Sequence, residues 1–473
     1  MQLISLNRRQ SILWGLASLG IISTGVGTIY SFRRNLYCDV LVIGSGAAGL
    51  SAASAAIDRG LKVIICEKLP KIGGSTLISG GYFTFPDSSS LRSIGLDDNN
   101  DLYLKHIRQT GHGQGDEKVI AKLASEAINS FKWLQQHGVQ FTSIVRTSLG
   151  GIWPRAHKPM LPLGTGYISA LSEYLLSKGT PILTNLKCER LIGQEKTGIE
   201  GAEFIDSEYR RTKIFARRGV IICSGGFGQN SALISNWAPE YAGLPCDCAE
   251  GSTGELLLAA KDVGADLINL NSIECVAGNI PQQTINSRLG SNVNRFILVN
   301  KYGDRFVNEN APRLEVQKAL LKEPRGTTWV ITDSVAIELS DEPNRKTAWR
   351  SYNAEETFKA KNIEELANLT KLPVNNLRNS INNFRPSRTV LNESTPPSFL
   401  PPLWASKVGL QIHQTLGGLA IDEEGCVLNV HGDPIVGLRA AGEVTGSVHG
   451  VSRLGGNGIV DAVTFGRIAG TYI

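Results

Sequence analysis

The segment from Cys38 to Glu67 constrains the fold more than any other part of the chain. Cys38-Asp39-Val40-Leu41-Val42-Ile43 is a nearly continuous apolar run of the kind that forms a strand buried on both faces. Gly44-Ser45-Gly46-Ala47-Ala48-Gly49 follows, then a small-residue helical stretch up to Gly60, and a second apolar run, Leu61–Cys66, ending at Glu67. Strand, glycine turn, helix, parallel strand and an acid 18 residues past Gly49 make a dinucleotide-binding unit. Gly44 permits the tight turn, Gly46 lets backbone N–H groups approach a pyrophosphate, and Gly49 allows helix and strand to pack closely. The N-terminal turn of the helix, with Ala48 in it, adds positive potential for the phosphates. Glu67, with Lys68 beside it, is placed for the adenosine ribose hydroxyls. G-x-G-x-x-G alone is a weak signal, whereas the complete unit is specific.

Further along, helical patterns are expected at 101–110 and 116–137, and 181–223 alternates short apolar runs with turns. That stretch leads into Ser224-Gly225-Gly226, a further approach to the cofactor. Between 271 and 414 the texture changes to more Asn, Pro and charge, with helical patterns at 312–322, 362–371 and 373–385 and a proline-rich linker at 396–402. After 415 glycine returns in bursts, and a last strand is expected at Leu438–Glu443. The chain therefore reads as an α/β protein: a discontinuous, Rossmann-like domain (36–270 and 415–473) with an inserted α+β capping domain (271–414), preceded by a leader (1–35).

Two more motifs choose between nicotinamide and flavin dinucleotides. Gly73-Gly74-Ser75-Thr76 and Ser79-Gly80-Gly81 follow the ribose acid, and Ala441-Gly442-Glu443-Val444-Thr445-Gly446 with His449-Gly450-Val451-Ser452-Arg453-Leu454-Gly455-Gly456-Asn457-Gly458-Ile459 stands near the C-terminus. A flavin needs such a returning block, because its ribityl chain and ring must be gripped beyond the pyrophosphate. FAD is the expected cofactor.

At these residues the sequence resembles the fumarate reductase/flavocytochrome c flavoproteins, over roughly 36–473. The resemblance implies an FAD domain, a clamp domain over the flavin, and reduction of the C=C bond of an α,β-unsaturated carboxylate by hydride from flavin N5. It also implies contacts to FAD from the glycine motifs and from Gln414, Glu443, Asn457, Gly458 and Ile459. Three substrate-side positions match. His413 lies in Ile412-His413-Gln414-Thr415-Leu416-Gly417-Gly418, Arg453 matches the arginine that grips a carboxylate, and Arg313 stands at the spacing of the proton-donating arginine. Arginine suits these tasks because its fork binds a carboxylate through two parallel N–H bonds. As an acid it needs a relay that returns its proton, since its pKa is above about 12.

The departures fall on that relay and on the distal end of the substrate. The positions of the family's Glu-x-x-Arg relay hold Leu289 and Asn292, leaving Arg288, Arg295, Glu309 and Glu315 as substitutes. No histidine occurs between His157 and His413, so the family's contact to a second carboxylate is absent. A substrate with one carboxylate and a different distal group is favoured over fumarate. No histidine lies between Arg33 and Leu104 either, so FAD is expected to be non-covalent. Two other readings stay open: a dehydrogenase of a saturated acid or ketosteroid-like substrate, and an electron-transfer subunit without turnover of its own. Without a haem motif or a second nucleotide fingerprint, electrons are expected from a separate quinol or cytochrome c.

Charge is informative only by location. Lys and Arg number 48 against 43 Asp and Glu, but residues 1–34 hold four Arg and no Asp, Glu or Lys. The body is thus nearly neutral, which removes the basic face a nucleic-acid partner needs. In the leader, Arg8-Arg9 precede 22 uncharged residues, Ser11–Phe32. As a helix these would span about 33 Å, enough to cross a bilayer. The paired arginines read as a twin-arginine export signal to the periplasm, or the run as an uncleaved membrane anchor. The eight cysteines form no framework, and Cys246-Asp247-Cys248 reads as an ordinary loop without metal.

Overall fold

In the computed structural model, which describes residues 34–473 apart from 292–294, 326, 385–389 and 392–397, the opening apolar run is strand β1 (Arg34–Ile43). Its last six residues are buried. Helix α1 (Ala47–Asp58) crosses to β2 (Val63–Cys66), which pairs parallel to β1 with Val40 opposite Val63 and Ile43 opposite Cys66. β3 (Ile182–Leu183) extends this edge. On the other side the long β4 (Arg211–Ile222) runs parallel to β1, Val42 opposite Ile221, and carries an antiparallel hairpin of Lys187–Gln194 and Gly198–Ile205.

The chain then builds a second sheet from β5 (Ile273–Gly278), β6 (Phe296–Val299), β7 (Thr328–Asp333), β8 (Thr357–Ala360) and β9 (Leu403–Thr415). All its pairings are antiparallel, in the order β5-β9-β7-β6, with β8 also pairing β9. Alternation along these strands feeds two cores. Ile297, Val299 and Ile331 meet Leu366 and Leu377 on one face, while Phe296, Leu298 and Val330 meet Trp404 on the other. Helix α2 (Arg313–Lys322) is tied to β5, where Gln317 Oε1 accepts the Cys275 N–H at 2.8 Å.

β10 (Cys426–Leu428) and β11 (Pro434–Ala440) return to the first sheet, Leu438 opposite Val220, completing the order β10-β11-β4-β1-β2-β3. The final helix α3 (Asn457–Tyr472) lies directly on α1. A Cβ added to Gly466 would stand 2.3 Å from the Ala48 carbonyl oxygen, and one on Gly470 2.0 Å from that of Ala52. Backbone-to-backbone packing of this kind explains why nine of the twelve residues of α1 are Ala, Ser or Gly.

The expected helices occur as Asn100–Thr110, Glu117–Gln136, α2, Ile363–Thr370 and Val374–Asn382. The last strand lies earlier in the chain than the expected Leu438–Glu443: it spans Pro434–Ala440, and the positive φ of Gly442 turns the backbone out of the sheet. Helix Glu342–Asn353 was not expected, because its polar composition hides any apolar stripe. The twin-arginine and anchor readings fall on residues outside those described. Among the described residues, no helix is long and apolar enough to cross a membrane.

Candidate active site

The nucleotide end of the site is local. Gly44 has φ +109°, and a Cβ there would sit 2.2 Å from the Cys223 carbonyl oxygen; one on Gly49 would sit 1.9 Å from the Gly44 carbonyl oxygen. Neither position admits a side chain. Gly46 is different: an added Cβ would make only ordinary contacts, with Thr76 Oγ1 at 3.6 Å and the Gly73 carbonyl oxygen at 3.9 Å. The first turn of α1 carries no acid, and Gly46 brings no capping side chain; Thr76 Oγ1 accepts from the Ala47 N–H at 3.0 Å. The remaining N–H groups of this turn, with the dipole of the helix behind them, are suited to a pyrophosphate. Glu67 accepts from Ser45 N–H (3.1 Å) and Ser45 Oγ (2.6 Å) with one oxygen and from Leu69 N–H (2.9 Å) with the other. A carboxylate has about four acceptor positions, which leaves capacity for ribose hydroxyls. Lys68 is held by Glu255 at 2.9 Å and by Thr253.

A cleft of about 380 Å³ runs from this turn to the inner face of the second sheet. Gly44, Gly46, Ala48, Glu67 and Lys68 border it, as do Gly74, Ser75, Thr76, Gly80, Gly81 and Gly225. From the C-terminal part come Glu443, Gly458 and Ile459, and from β9 His413 and Gln414. Two residues expected at the cofactor do not line it. Gly49 lies behind the turn, and Asn457 is fully buried, its Oδ1 accepting from Thr84 Oγ1 (2.6 Å) and Tyr103 Oη (2.8 Å).

At the far end Arg313, Arg453 and His413 border one wall. The first residue of α2, Arg313, donates from Nε to the Leu149 carbonyl oxygen at 3.2 Å. It rests against Gly150, where a Cβ would approach its Cγ to 2.4 Å. Both guanidinium groups converge on a residue not foreseen from sequence, Glu274 of β5. Its Oε1 accepts from Arg453 Nη2 at 2.7 Å and from Arg313 Nη1. At an effective dielectric of about 20, unit charges about 4 Å apart interact by about 4 kcal/mol, so one carboxylate between two cations offsets their repulsion. Burial pushes the Glu274 carboxyl up, but Arg313, Arg453 and His413 outweigh it and hold it at about 2. Burial likewise lowers Arg313 below the usual arginine value, against the pull of Glu274. Burial raises Glu443, which accepts from Thr415 N–H at 3.1 Å, to about 7.

The loop Cys246-Asp247-Cys248 is not an ordinary loop. It runs along β9, with Asp247 N–H donating to the Ile412 carbonyl at 3.0 Å and the Cys248 thiol to the His413 carbonyl at 3.3 Å. This sets Asp247 Oδ1 2.9 Å from His413 Nδ1, with Gln411 Nε2 (2.8 Å) and Arg288 Nη1 (3.4 Å) on its other oxygen. Burial raises the Asp247 carboxyl, yet His413, Arg288 and Arg313 together bring it below the usual range. The relay substitutes separate accordingly. Arg288 borders the cleft, Arg295 is buried against Asp333, and Glu315 is exposed. Glu309 also reaches the cleft, but it accepts from Leu298 N–H at 2.7 Å and pairs with Arg305. One sequence signal pointed to both missed acids: each interrupts an otherwise small or apolar run.

A single cleft with backbone donors at one end and paired cations at the other belongs to a dinucleotide-dependent oxidoreductase, and its lining residues fit FAD. The chain belongs to the FAD binding domain family, whose model matches residues 39–459. It is 29% identical over 444 residues to a probable fumarate reductase of Shewanella frigidimarina, covering 91% of this chain and 74% of that protein. It is 27% identical to the NADH:acrylate oxidoreductase of Vibrio harveyi, covering 91% of this chain and half of that longer protein. Among solved structures, the open conformation of a flavocytochrome c3 fumarate reductase superposes with a TM-score of 0.72 at 29% identity, over 92% of this chain and 78% of that one.

Proposed function

We propose that the protein reduces the C=C bond of an α,β-unsaturated carboxylate carrying one carboxylate group. The observation that carries this reading is the meeting of Arg313, Arg453 and His413 on one wall of the cleft that begins at the nucleotide turn. When bound and reduced, non-covalently held FAD supplies the hydride. Arg453 binds the substrate carboxylate through its guanidinium fork, and His413, oriented by Asp247, adds a donor. As the alkene accepts hydride, negative charge moves toward the carboxylate, so cations fixed there favour the transition state over the ground state. Arg313 holds the proton for the second alkene carbon, its hold on that proton loosened by burial. The relatives named as a probable fumarate reductase and an acrylate oxidoreductase support this class of reaction, and the lack of histidine between His157 and His413 favours a substrate with one carboxylate. In this reading 271–414 acts as a clamp over the flavin, electrons arrive from a separate donor, and the leader exports the chain.

The test is anaerobic photoreduction of the purified flavoprotein, followed by a panel of acrylate, crotonate, aryl acrylates and fumarate, watching flavin absorbance return. Reoxidation by a mono-carboxylate enoate is expected. If no enoate reoxidises the flavin, the reading fails. Arg313→Gln should slow that reoxidation at least about 100-fold, the lower end of a general acid's contribution, while the affinity for FAD stays unchanged.

A further inference from the structure

We infer that Glu274 is the residue that restricts this site to one carboxylate. The inference rests on the enoate reading above and adds a determinant of selectivity to it.

Glu274 lies behind the arginines and does not border the cleft. It is 2% exposed, and its second oxygen, Oε2, has no hydrogen-bond partner among the described residues. A carboxylate so placed makes no direct contact with a ligand, so its influence is through charge and through the positions of Arg313 and Arg453. The balance of the wall can be followed group by group. Arg313 and Arg453 share Glu274, which leaves one positive charge. Arg288 is matched by Asp247, which also holds His413. Lys158 is matched by Asp341, and Glu309 by Arg305. Glu443, held at about 7, can only make the balance more negative. The arginine pair therefore offers one uncompensated cation, and one carboxylate completes it. A second carboxylate would be buried without a counter-charge and would face the field of Glu274. Such a group is disfavoured by its own desolvation as well as by repulsion. Neutralising Glu274 would leave two free cations, which matches a dicarboxylate.

The test compares two ligand pairs with the same four-carbon skeleton, crotonate with fumarate and butyrate with succinate, on the FAD-loaded full chain. Binding of butyrate and succinate is measured by calorimetry. Reduction of crotonate and fumarate is measured with reduced methyl viologen. The wild-type protein should prefer the monocarboxylate in each pair. Glu274→Gln, which keeps the shape and removes the charge, should shift both preferences toward the dicarboxylate by at least about tenfold, or 1.4 kcal/mol. Glu274→Asp, which keeps the charge, should retain the wild-type preference. An unchanged ratio in Glu274→Gln, or a wild-type preference for succinate over butyrate, overturns the inference. The second criterion applies even if the variant does not fold. If the binding ratio shifts while no enoate is reduced, the enoate reading fails and the role of Glu274 stands. If enoates are reduced at an unchanged ratio, the reverse holds.

Discussion

Asp247 shows how much one side chain can decide. Its carboxylate fixes the Nδ1 side of His413 at 2.9 Å and so leaves Nε2 as the nitrogen available to a ligand. A hydrogen bond to a charged group contributes about 1.5–3 kcal/mol. Asp247→Asn should therefore raise KM for the unsaturated acid about tenfold or more, with a smaller change in kcat, as steady-state kinetics would show. His157 illustrates a different residue-scale effect, away from the cleft. Its ring stacks on Phe85 with centroids 4.3 Å apart, and burial lowers its pKa from 6.5 to about 4, against the opposing pull of Asp87. A folded-state value below the unfolded one means the unfolded chain takes up the proton first. The contribution of this group is complete above about pH 6.5 and is lost as the pH falls toward 4, by about 3 kcal/mol in all. His157→Gln should flatten the pH dependence of urea-unfolding stability across that window by about this amount. Equal slopes in the two proteins would show that the imidazole titrates as if exposed.

At the scale of elements, the nucleotide end depends on helices that approach as closely as backbones allow. α1 and α3 touch through Gly466 and Gly470, with Ala48 and Ala52 opposite. Even one methyl group at Gly470 would stand 2.0 Å from a backbone oxygen that no rotamer change can move. Gly470→Ala should therefore cost at least about 1–3 kcal/mol, the range for overpacked cores. It should also weaken FAD binding, since α1 supplies the phosphate-facing turn. Thermal unfolding and flavin titration would measure the two effects, and an unchanged Tm would show that the helices can separate freely. Much of this level was legible in the sequence. β1, α1 and β2 announce themselves because a buried parallel strand must be apolar throughout and a close helix must be small-residue. The polar helix Glu342–Asn353 was not legible. Only Ala348 and Ser351 of that helix are buried, so no apolar stripe marks it.

At the scale of the molecule, the cleft is bounded by parts of the chain that meet only on folding. Lys158, in the strand Ala156–Pro159 that pairs with Phe83–Thr84, reaches Asp341 at the start of helix Glu342–Asn353, and both border the cleft. The pair is about one-fifth exposed, so it contributes on the order of 1 kcal/mol. Asp341→Asn should release FAD up to about fivefold faster, followed by the recovery of flavin fluorescence on dilution. No change would show that the contact does not hold the cleft closed. The cofactor end was decided by the sequence itself, because it uses contiguous backbone donors, glycines whose neighbours exclude any side chain, and an acid at a set distance. Arg313, His413 and Arg453 could be picked out from motifs, but their company could not. Glu274 and Arg453 are 179 residues apart in the chain, and Asp247 and His413 are 166 apart. No local pattern records such pairings. Only the tertiary structure sets a buried carboxylate between two arginines and an aspartate behind the histidine, because burial is what makes an unmatched charge costly and so forces each to find its partner.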